Sequence, residues 1–331
     1  PGKSLPSLKA LAERFGTSIG PVQHAFGVLE EEGLVVCKVG SGTFVTDRRP
    51  VSDPNRTAVL FPGRQHLLAE ILDTIMGVLH ANNVYPCLID TSKPQTEDML
   101  RHAIREARII IIDGNATFPY HLLDETGLAG KRIIGVPVWE KQAGADAVAR
   151  ITIDLAAGGA LAAEHLLQRG HRRVAILGTT SMLADSTGIR AGFDRAWRNA
   201  GGEALALASI HAGQADEPLV DDEAFLSRMR GEQAPTALFG LRDVEAYQAA
   251  SILARHEPAL LERIDLIGYG NTPWSRTPYL PFSSIDWNMD TLLHAVEAKL
   301  LSALETPDAF IRDCQIISPR LIVRERYPTL V

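Results

Sequence analysis

Apolar positions in the first fifty residues follow helical spacing and then take the pattern of a hairpin. Two amphipathic patterns, residues 8–15 and 19–32, each follow a serine suited to an N-cap and precede a glycine. Pro21 falls in the first turn of the second pattern, where its missing N–H does little harm. The runs Leu34–Lys38 and Thr43–Val45 then flank the turn Gly40-Ser41-Gly42. This order predicts two helices followed by a two-stranded wing.

Beyond residue 56, short apolar runs alternate with amphipathic helices such as Leu155–Arg169 and Gly188–Gly201. The predicted strands are Ala58–Phe61, Tyr85–Ile89, Ile109–Ile112, Ile133–Val138, Ile151–Ile153, Val174–Leu177, Ala237–Leu241 and Ile264–Tyr269. This alternation is typical of parallel sheets with helices on both faces. The polar segment Asp47–Arg56, which contains two prolines, predicts a linker between the two parts.

Composition excludes several classes of protein. Hydrophobic residues make up 46% of the chain and charged residues 22%, as in ordinary globular domains. No apolar run approaches the ~20 residues of a membrane span and no signal peptide is visible, so we expect a cytoplasmic protein without a membrane partner. The three cysteines are far apart and make no metal-ligand spacing, which favours a reducing compartment. We expect neither a metal nor a cofactor.

Charge alone does not indicate a nucleic-acid binder. The net charge of −7 argues against binding over the whole surface. Residues 1–49 carry six basic and five acidic side chains, so the first part is only mildly basic. The chain contains no phosphate loop, no Gly-x-Ser-x-Gly and no cluster of His, Cys and carboxylates at ligand spacing, so we expect no enzyme activity.

Four short motifs identify the first part more specifically. They are PGKSLPS at 1–7, LAERFG at 11–16, LEEEGL at 29–34 and GSGTFV at 40–45. Together they resemble the gluconate-repressor (GntR) family of winged helix-turn-helix proteins over nearly all of residues 1–46. The resemblance implies a DNA-binding domain whose recognition helix enters the major groove. Family members have a further helix before the Pro-Gly, so we expect the first helix of the domain to be missing from this chain.

The resemblance implies DNA contacts from the recognition helix, the helix before it and the wing. The candidates are Lys9, Ser18, Ile19, Pro21, Gln23, His24, Gly40 and Ser41. Ile19, Gln23 and Ser41 stand where family members usually have basic residues, so we expect few phosphate contacts and a shallow salt dependence. Gln23 can pair with adenine, and Ile19 or Pro21 can contact thymine methyl groups. Alternatively, Gln23 and His24 are solvated helix positions.

The second part resembles the effector domain of the lactose/galactose-repressor (LacI/GalR) family. The strongest match is the segment 151–178, and further matches are Arg190–Phe193, Asp265–Tyr269 and Leu321–Glu325. The resemblance implies an α/β fold, a two-lobed periplasmic-binding-protein-like sensor domain with parallel sheets, preceded by the small winged helix-turn-helix domain. Fusions of these two families form the arabinose-repressor type of hybrid.

The two resemblances set the expected domain boundaries. The winged helix occupies residues 1–46, the linker 47–56 and the sensor 57–331. One lobe holds about 57–153 and 287–312, and the other holds about 154–285 and 313–331. We expect the ligand between the lobes, at the carboxyl ends of the strands, where open parallel sheets leave a crevice. One recognition helix per chain and a sensor family that dimerises predict a homodimer on a pseudo-palindromic operator.

Candidate ligand residues follow the predicted strands or occupy ligand positions of the family. They are Arg64, Gln65, His66, Trp139, Glu140, Asp185, Arg190, Arg242, Asp243, Asn271 and Trp287. Planar polar side chains and aromatic faces in such positions suit a sugar. Ile189 stands in place of a family arginine and Gly270 in place of an aspartate, so the pocket is rebuilt. Arg242 replaces an asparagine and would suit an anionic ligand such as a uronate or a sugar phosphate.

Several residues near these candidates have structural explanations instead. Asp154 is expected to cap the helix that follows it. His165 and His171 are expected to pack or cap, and Trp197 to lie in the core. For Trp139 and Trp287 the cleft and the core both remain open.

The sequence thus predicts a bacterial transcription regulator, a repressor whose binding to operator DNA is controlled by a sugar or sugar-acid effector. The alternative is a solute-binding protein of a sugar transport or sensing system, which shares the sensor fold and does not bind DNA. The winged helix favours the regulator, and retention of operator DNA separates the two functions.

Overall fold

The computed structural model describes residues 3–31, 35–38, 42–45, 56–61, 66–91, 97–114, 121–122, 130–138, 148–179, 188–200, 210–211, 222–305 and 310–325. The chain separates into two compact units, Pro1–Arg56 and Thr57–Val331. Of the predicted linker, only Arg56 is among the described residues.

The first unit consists of α1 (Leu8–Phe15), α2 (Ile19–Glu31), β1 (Val35–Lys38) and β2 (Gly42–Val45). Helix α1 begins as predicted, because the Ser7 side chain accepts a hydrogen bond from the Ala10 N–H at 3.2 Å. It ends at Gly16, whose φ of 64° lies in the left-handed region that glycine adopts without strain. Strands β1 and β2 pair antiparallel, as the predicted wing requires.

The wing has a neighbour that the sequence pattern does not predict. Residues 3–5 lie beside β2, where Ser4 forms an antiparallel bridge with Phe44. The Leu5 N–H donates to the Thr43 carbonyl at 2.7 Å. The hairpin is therefore held by the segment that precedes α1, which fixes the wing within this unit.

The second unit contains two six-stranded sheets covered by helices. Its elements in chain order are β3 (Thr57–Phe61), α3 (His66–Ala81), β4 (Cys87–Asp90), α4 (Glu97–Glu106), β5 (Ile109–Gly114), β6 (Arg132–Val138), β7 (Ala149–Ile153), α5 (Leu155–Gln168), β8 (Val174–Gly178), α6 (Ile189–Asn199), β9 (Ile210–His211), α7 (Asp222–Met229), β10 (Ala237–Gly240), α8 (Asp243–His256), α9 (Pro258–Leu261), β11 (Asp265–Tyr269), a 3₁₀ turn (Pro273–Arg276), β12 (Ser283–Asp286), α10 (Met289–Glu305), β13 (Cys314–Ile317) and β14 (Arg320–Ile322). The interior strands β3, β8 and β10 are nearly continuous apolar runs because both of their faces are buried.

The sheets define two lobes. The first sheet has the order β13-β7-β6-β5-β3-β4 and is parallel throughout. The second has the order β14-β12-β11-β10-β8-β9, and only β14 runs antiparallel to its neighbour. These two sheets confirm the predicted α/β fold with parallel sheets in two lobes.

Three crossovers join the lobes, from β7 to α5, from β12 to α10 and from β13 to β14. The Asp154 N–H donates to the Ile317 carbonyl at 3.0 Å, and the Asn288 side-chain amide donates to the Ser318 carbonyl at 3.3 Å. Strand β13 pairs with β7, which places it in the first lobe. The predicted lobe boundary after residue 312 is therefore wrong, and the first lobe extends to Ile317.

Short strands account for most of the other differences from the predicted elements. The strand predicted at Tyr85–Ile89 begins at Cys87, and Tyr85 is 80% exposed. Strands β9, β12, β13 and β14 were not among the predicted ones. They have only two to four residues each, too few for a hydrophobic period to stand out.

Candidate functional site

Helix α2 has one side against the core of its unit and one side open to solvent. Val22 is buried, and Phe26 and Leu29 are half-buried. The predicted DNA contacts that are exposed are Lys9, Ser18, Ile19, Pro21, Gln23 and His24. The predicted contacts Gly40 and Ser41 lie outside the described residues.

The residues that line the open side of α2 are mostly small, and none of them is Lys, Arg, Asp or Glu. Gly20, Gln23, His24, Gly27 and Val28 line a shallow concave surface along it. At both glycines, an added Cβ would meet no other atom within 4 Å. Helix α2 contains no Lys or Arg. Its open side therefore offers an amide, an imidazole and apolar surface to a partner.

In the second lobe, predicted ligand residues follow three neighbouring strands. Arg242 comes after β10, Asn271 after β11 and Trp287 after β12. Because these strands are parallel neighbours, their carboxyl ends lie at one edge of the sheet. The sequence positions are thus brought to a common edge, as expected for a cleft.

Arg242 is held by a carboxylate that the sequence reasoning missed. Its Nε donates to Oε1 of Glu245 at 2.7 Å, and its Nη2 donates to the same oxygen. The Glu245 side chain is fully buried, whereas that of Arg242 is 41% exposed. Burial raises the pKa of Glu245, and the Arg242 guanidinium opposes that rise. The spacing of three residues at a helix start is a signal that could have revealed this pair.

Asp243 has internal partners for both carboxylate oxygens. Oδ1 accepts from the Ser284 hydroxyl at 2.6 Å, and Oδ2 accepts from the Thr272 N–H at 2.5 Å and its hydroxyl at 2.8 Å. Asp243 is only 1% exposed, and its burial raises its pKa against these hydrogen bonds. This geometry argues against the predicted ligand contact, because Asp243 fastens α8 to the segments after β11 and in β12.

Asn271 is also engaged within the lobe. Its φ is 50°, its N–H donates to the Ser284 hydroxyl at 2.9 Å, and its side-chain oxygen accepts from Nη2 of Arg324 at 2.5 Å. Burial lowers the pKa of Arg324, while the nearby Asp243 carboxylate raises it. Asn271 therefore presents only its side-chain amide nitrogen for a ligand.

The remaining predicted ligand residues fall into four groups. Arg190 donates from Nε to both oxygens of Asp194, at 3.1 and 3.0 Å, so its guanidinium is tied to its own helix. Trp287 is 7% exposed and packs in the main apolar cluster of the unit. His66 is the first residue of α3. Residues outside the described ranges are Arg64, Gln65, Trp139, Glu140 and Asp185.

Residues expected to be structural do support the scaffold. Asp154 caps α5 by accepting from the Ala157 N–H at 2.8 Å. Trp197 is buried and stacks on Phe193. His171 Nε2 lies 2.6 Å from Oδ2 of Asp265, at the amino end of β11 and away from the carboxyl edge.

Within the described residues, no helix is long and apolar enough to cross a membrane. The same residues bring together no three His, Cys, Asp or Glu side chains that could hold a metal ion.

Two family models match the chain. The model described as bacterial regulatory proteins of the gntR family matches residues 1–45. The model described as a periplasmic binding protein-like domain matches residues 163–325. The chain joins a gntR-family domain to a periplasmic-binding-protein-like domain. This domain content is the one that the sequence motifs predicted.

Similar proteins include a repressor matched over nearly its whole length and regulators that share the fold of the second unit. The arabinose metabolism transcriptional repressor of Geobacillus stearothermophilus is 23% identical over 349 residues, covering 98% of this chain and 91% of that protein. A LacI-family regulator from Enterococcus faecium with bound ribose superposes with a TM-score of 0.66 at 18% identity, over 83% of this chain and 100% of that one. A LacI-family regulator from Arthrobacter in complex with lactose gives 0.65 at 14% identity, with the same coverage.

Proposed function

We propose that this gntR-type and periplasmic-binding-protein-like hybrid is a DNA-binding transcription repressor whose effector is a sugar. The observation that carries the proposal is the combination of a winged helix with a two-lobed sensor in one chain. A solute-binding protein does not bind DNA and so does not need a winged helix. The winged helix therefore disfavours the alternative function, a solute-binding protein of a sugar transport or sensing system. Relatives named as an arabinose repressor and as ribose- or lactose-bound regulators support a sugar as the effector class.

The effector binds between the lobes, at the carboxyl edges of the two sheets. A ligand held there stabilises the closed arrangement, because closure completes its contacts. Closure rotates one lobe against the other and, in a dimer, changes the spacing of two winged helices. Operators require a fixed spacing of half-sites, so the sugar releases the repressor from DNA.

The protein acts as a homodimer in the cytoplasm, with one winged helix on each half-site. An exposed aromatic face in the second lobe supports self-association. Trp274 is 45% exposed, Tyr279 is 94% exposed, and the Tyr247 ring lies 4.9 Å from that of Trp274. Exposed aromatic clusters of this kind are enriched in protein interfaces. Sedimentation of the double variant Trp274→Glu/Tyr279→Glu should give a monomer, and an unchanged dimer would exclude this face.

Operator selection tests the regulator directly. The full-length protein, with the first helix that the gluconate-repressor resemblance implies, is incubated with randomised duplex DNA and excess nonspecific competitor, and bound fragments are enriched over several rounds. We expect a pseudo-palindromic sequence to emerge and the cognate sugar to weaken its binding in fluorescence anisotropy. Recovery of random sequence alone would favour the solute-binding alternative, whereas tighter operator binding with sugar would reverse the sign of regulation.

A further inference from the structure

At the carboxyl edge of the second sheet, the charge of the Arg242 guanidinium is paired with a buried carboxylate, that of Glu245. A guanidinium has five N–H donors, and Glu245 takes two of those of Arg242. The other three have no partner among the described residues. Arg242 can therefore donate hydrogen bonds to a ligand from its remaining N–H groups, although its positive charge is already balanced by Glu245.

The other charges at this edge are balanced or screened as well. Arg324 donates to the Phe282 carbonyl and to the Asn271 side-chain oxygen. The nearby Asp243 carboxylate partly offsets the lowering of the Arg324 pKa by burial. Arg276 donates to the Asn271 carbonyl from an exposed position, where water and salt screen its charge. A carboxylate or phosphate on a ligand would thus meet no unbalanced buried cation here, although Arg242 alone in the sequence favours such a ligand.

We propose that Glu245 is a specificity-determining residue of the cleft: it neutralises Arg242 and so fits this edge to an uncharged polyhydroxy ligand rather than to a sugar acid. This inference rests on the proposed sugar-binding function and names the charge of its ligand. Neutral hydroxyls accept hydrogen bonds from the remaining guanidinium donors. A ligand anion would instead be repelled by the Glu245 carboxylate across the guanidinium.

A purely structural role for Glu245 makes a different prediction. Glu245 is the third residue of α8, the position from which a carboxylate reaches back to the helix start in a capping box, but its Oε2 has no hydrogen-bond partner among the described residues. If capping were its whole role, replacing it would lower stability and weaken every ligand by a similar factor. The ratio of affinities for a neutral sugar and its acid is therefore the readout that separates the two roles.

The experiment measures that ratio by calorimetry on the full chain. The probes are matched pairs: galactose with galacturonate, glucose with glucuronate, and ribose with ribose 5-phosphate. We expect the unmodified protein to favour the neutral member of whichever pair binds. Glu245→Gln keeps the side-chain shape and removes the counter-charge, so it should move the ratio at least tenfold toward the acid, or about 1.4 kcal/mol.

Control variants keep the test decisive. Glu257→Gln alters a surface carboxylate at the other end of α8, 2.7 Å from Arg230, and should leave the ratio unchanged. The double variant Arg242→Gln/Glu245→Gln restores the original net charge and should return the ratio to its original value even if Glu245→Gln alone does not fold. Arg242→Gln alone should move the ratio further toward the neutral sugar.

Two results would overturn the proposal: an unmodified protein that favours the acid, or variants that all keep the original ratio. Absence of binding by any probe, with operator binding intact, would contradict the sugar as effector class and remove this inference with it. Loss of operator binding as well would contradict the regulator itself.

Discussion

Replacement of Gly192 by alanine should destabilise the second lobe, because two helices touch at that glycine. A Cβ built at Gly192 in α6 would lie 1.9 Å from the carbonyl oxygen of Ala156 in α5. The contact is reciprocal, since a Cβ at Gly159 in α5 would lie 1.9 Å from the carbonyl oxygen of Ile189. Both obstacles are backbone atoms, which cannot rotate away as a side chain would.

The size of the effect follows from two opposing contributions. Ordinary C···O contacts begin at about 3.3 Å, so the helices must separate by about 1.4 Å to admit the new methyl group. Overpacking of a core costs about 1–3 kcal/mol. Alanine in place of glycine in a helix contributes about 1 kcal/mol in the opposite direction. Because the clash is with backbone, we expect the upper part of the overpacking range and a net loss of about 2 kcal/mol.

Gly77→Ala provides the matched control. Gly77 lies within α3, is exposed, and has no atom within 4 Å of the Cβ position. The same substitution there should stabilise the protein by up to about 1 kcal/mol. Urea unfolding monitored by fluorescence measures both variants. If Gly192→Ala were as stable as Gly77→Ala, the close packing of α5 and α6 would be wrong.

Three further outcomes are expected. The pKa of Asp265 is lowered by hydrogen bonds from His171 and Arg169. The ionised carboxylate therefore stabilises the folded protein fully above the unfolded-state pKa of about 4, and this stabilisation is lost as the pH falls below it. Asp265→Asn should flatten this dependence of the free energy of unfolding on acid pH in urea unfolding. Lys131→Met should cost about 2 kcal/mol in thermal unfolding, because the buried ammonium donates to three carbonyl oxygens at and just after the end of α4 at 2.8–2.9 Å; a neutral result would mean that water replaces it. Gln23→Ala should relax the preference for adenine at one operator position by about 1–3 kcal/mol without changing the salt dependence in anisotropy titrations, and a changed salt slope would contradict a base contact.

Local patterns alone determined much of the fold. The start and end of α1 followed from Ser7 and Gly16, because a cap needs only neighbours three or four residues away. The two-lobed arrangement came only from the resemblance to the lactose/galactose-repressor family, but the wing and the alternation of strands and helices followed from periodicity in the same way. These features depend on contacts close in sequence or on long apolar runs, so they can be predicted from the sequence alone.

The tertiary structure decided what the charged residues of the cleft edge do. Arg242 and Asp243 are adjacent in the sequence and both follow β10, so no local pattern separates them. Asp243 is buried because Thr272 and Ser284, 29 and 41 residues away in the chain, supply its donors. Such partners meet only when the parallel strands align. For the same reason the sequence did not assign β13 to the first sheet: its pairing with β7 spans more than 160 residues, and only folding brings the two strands together.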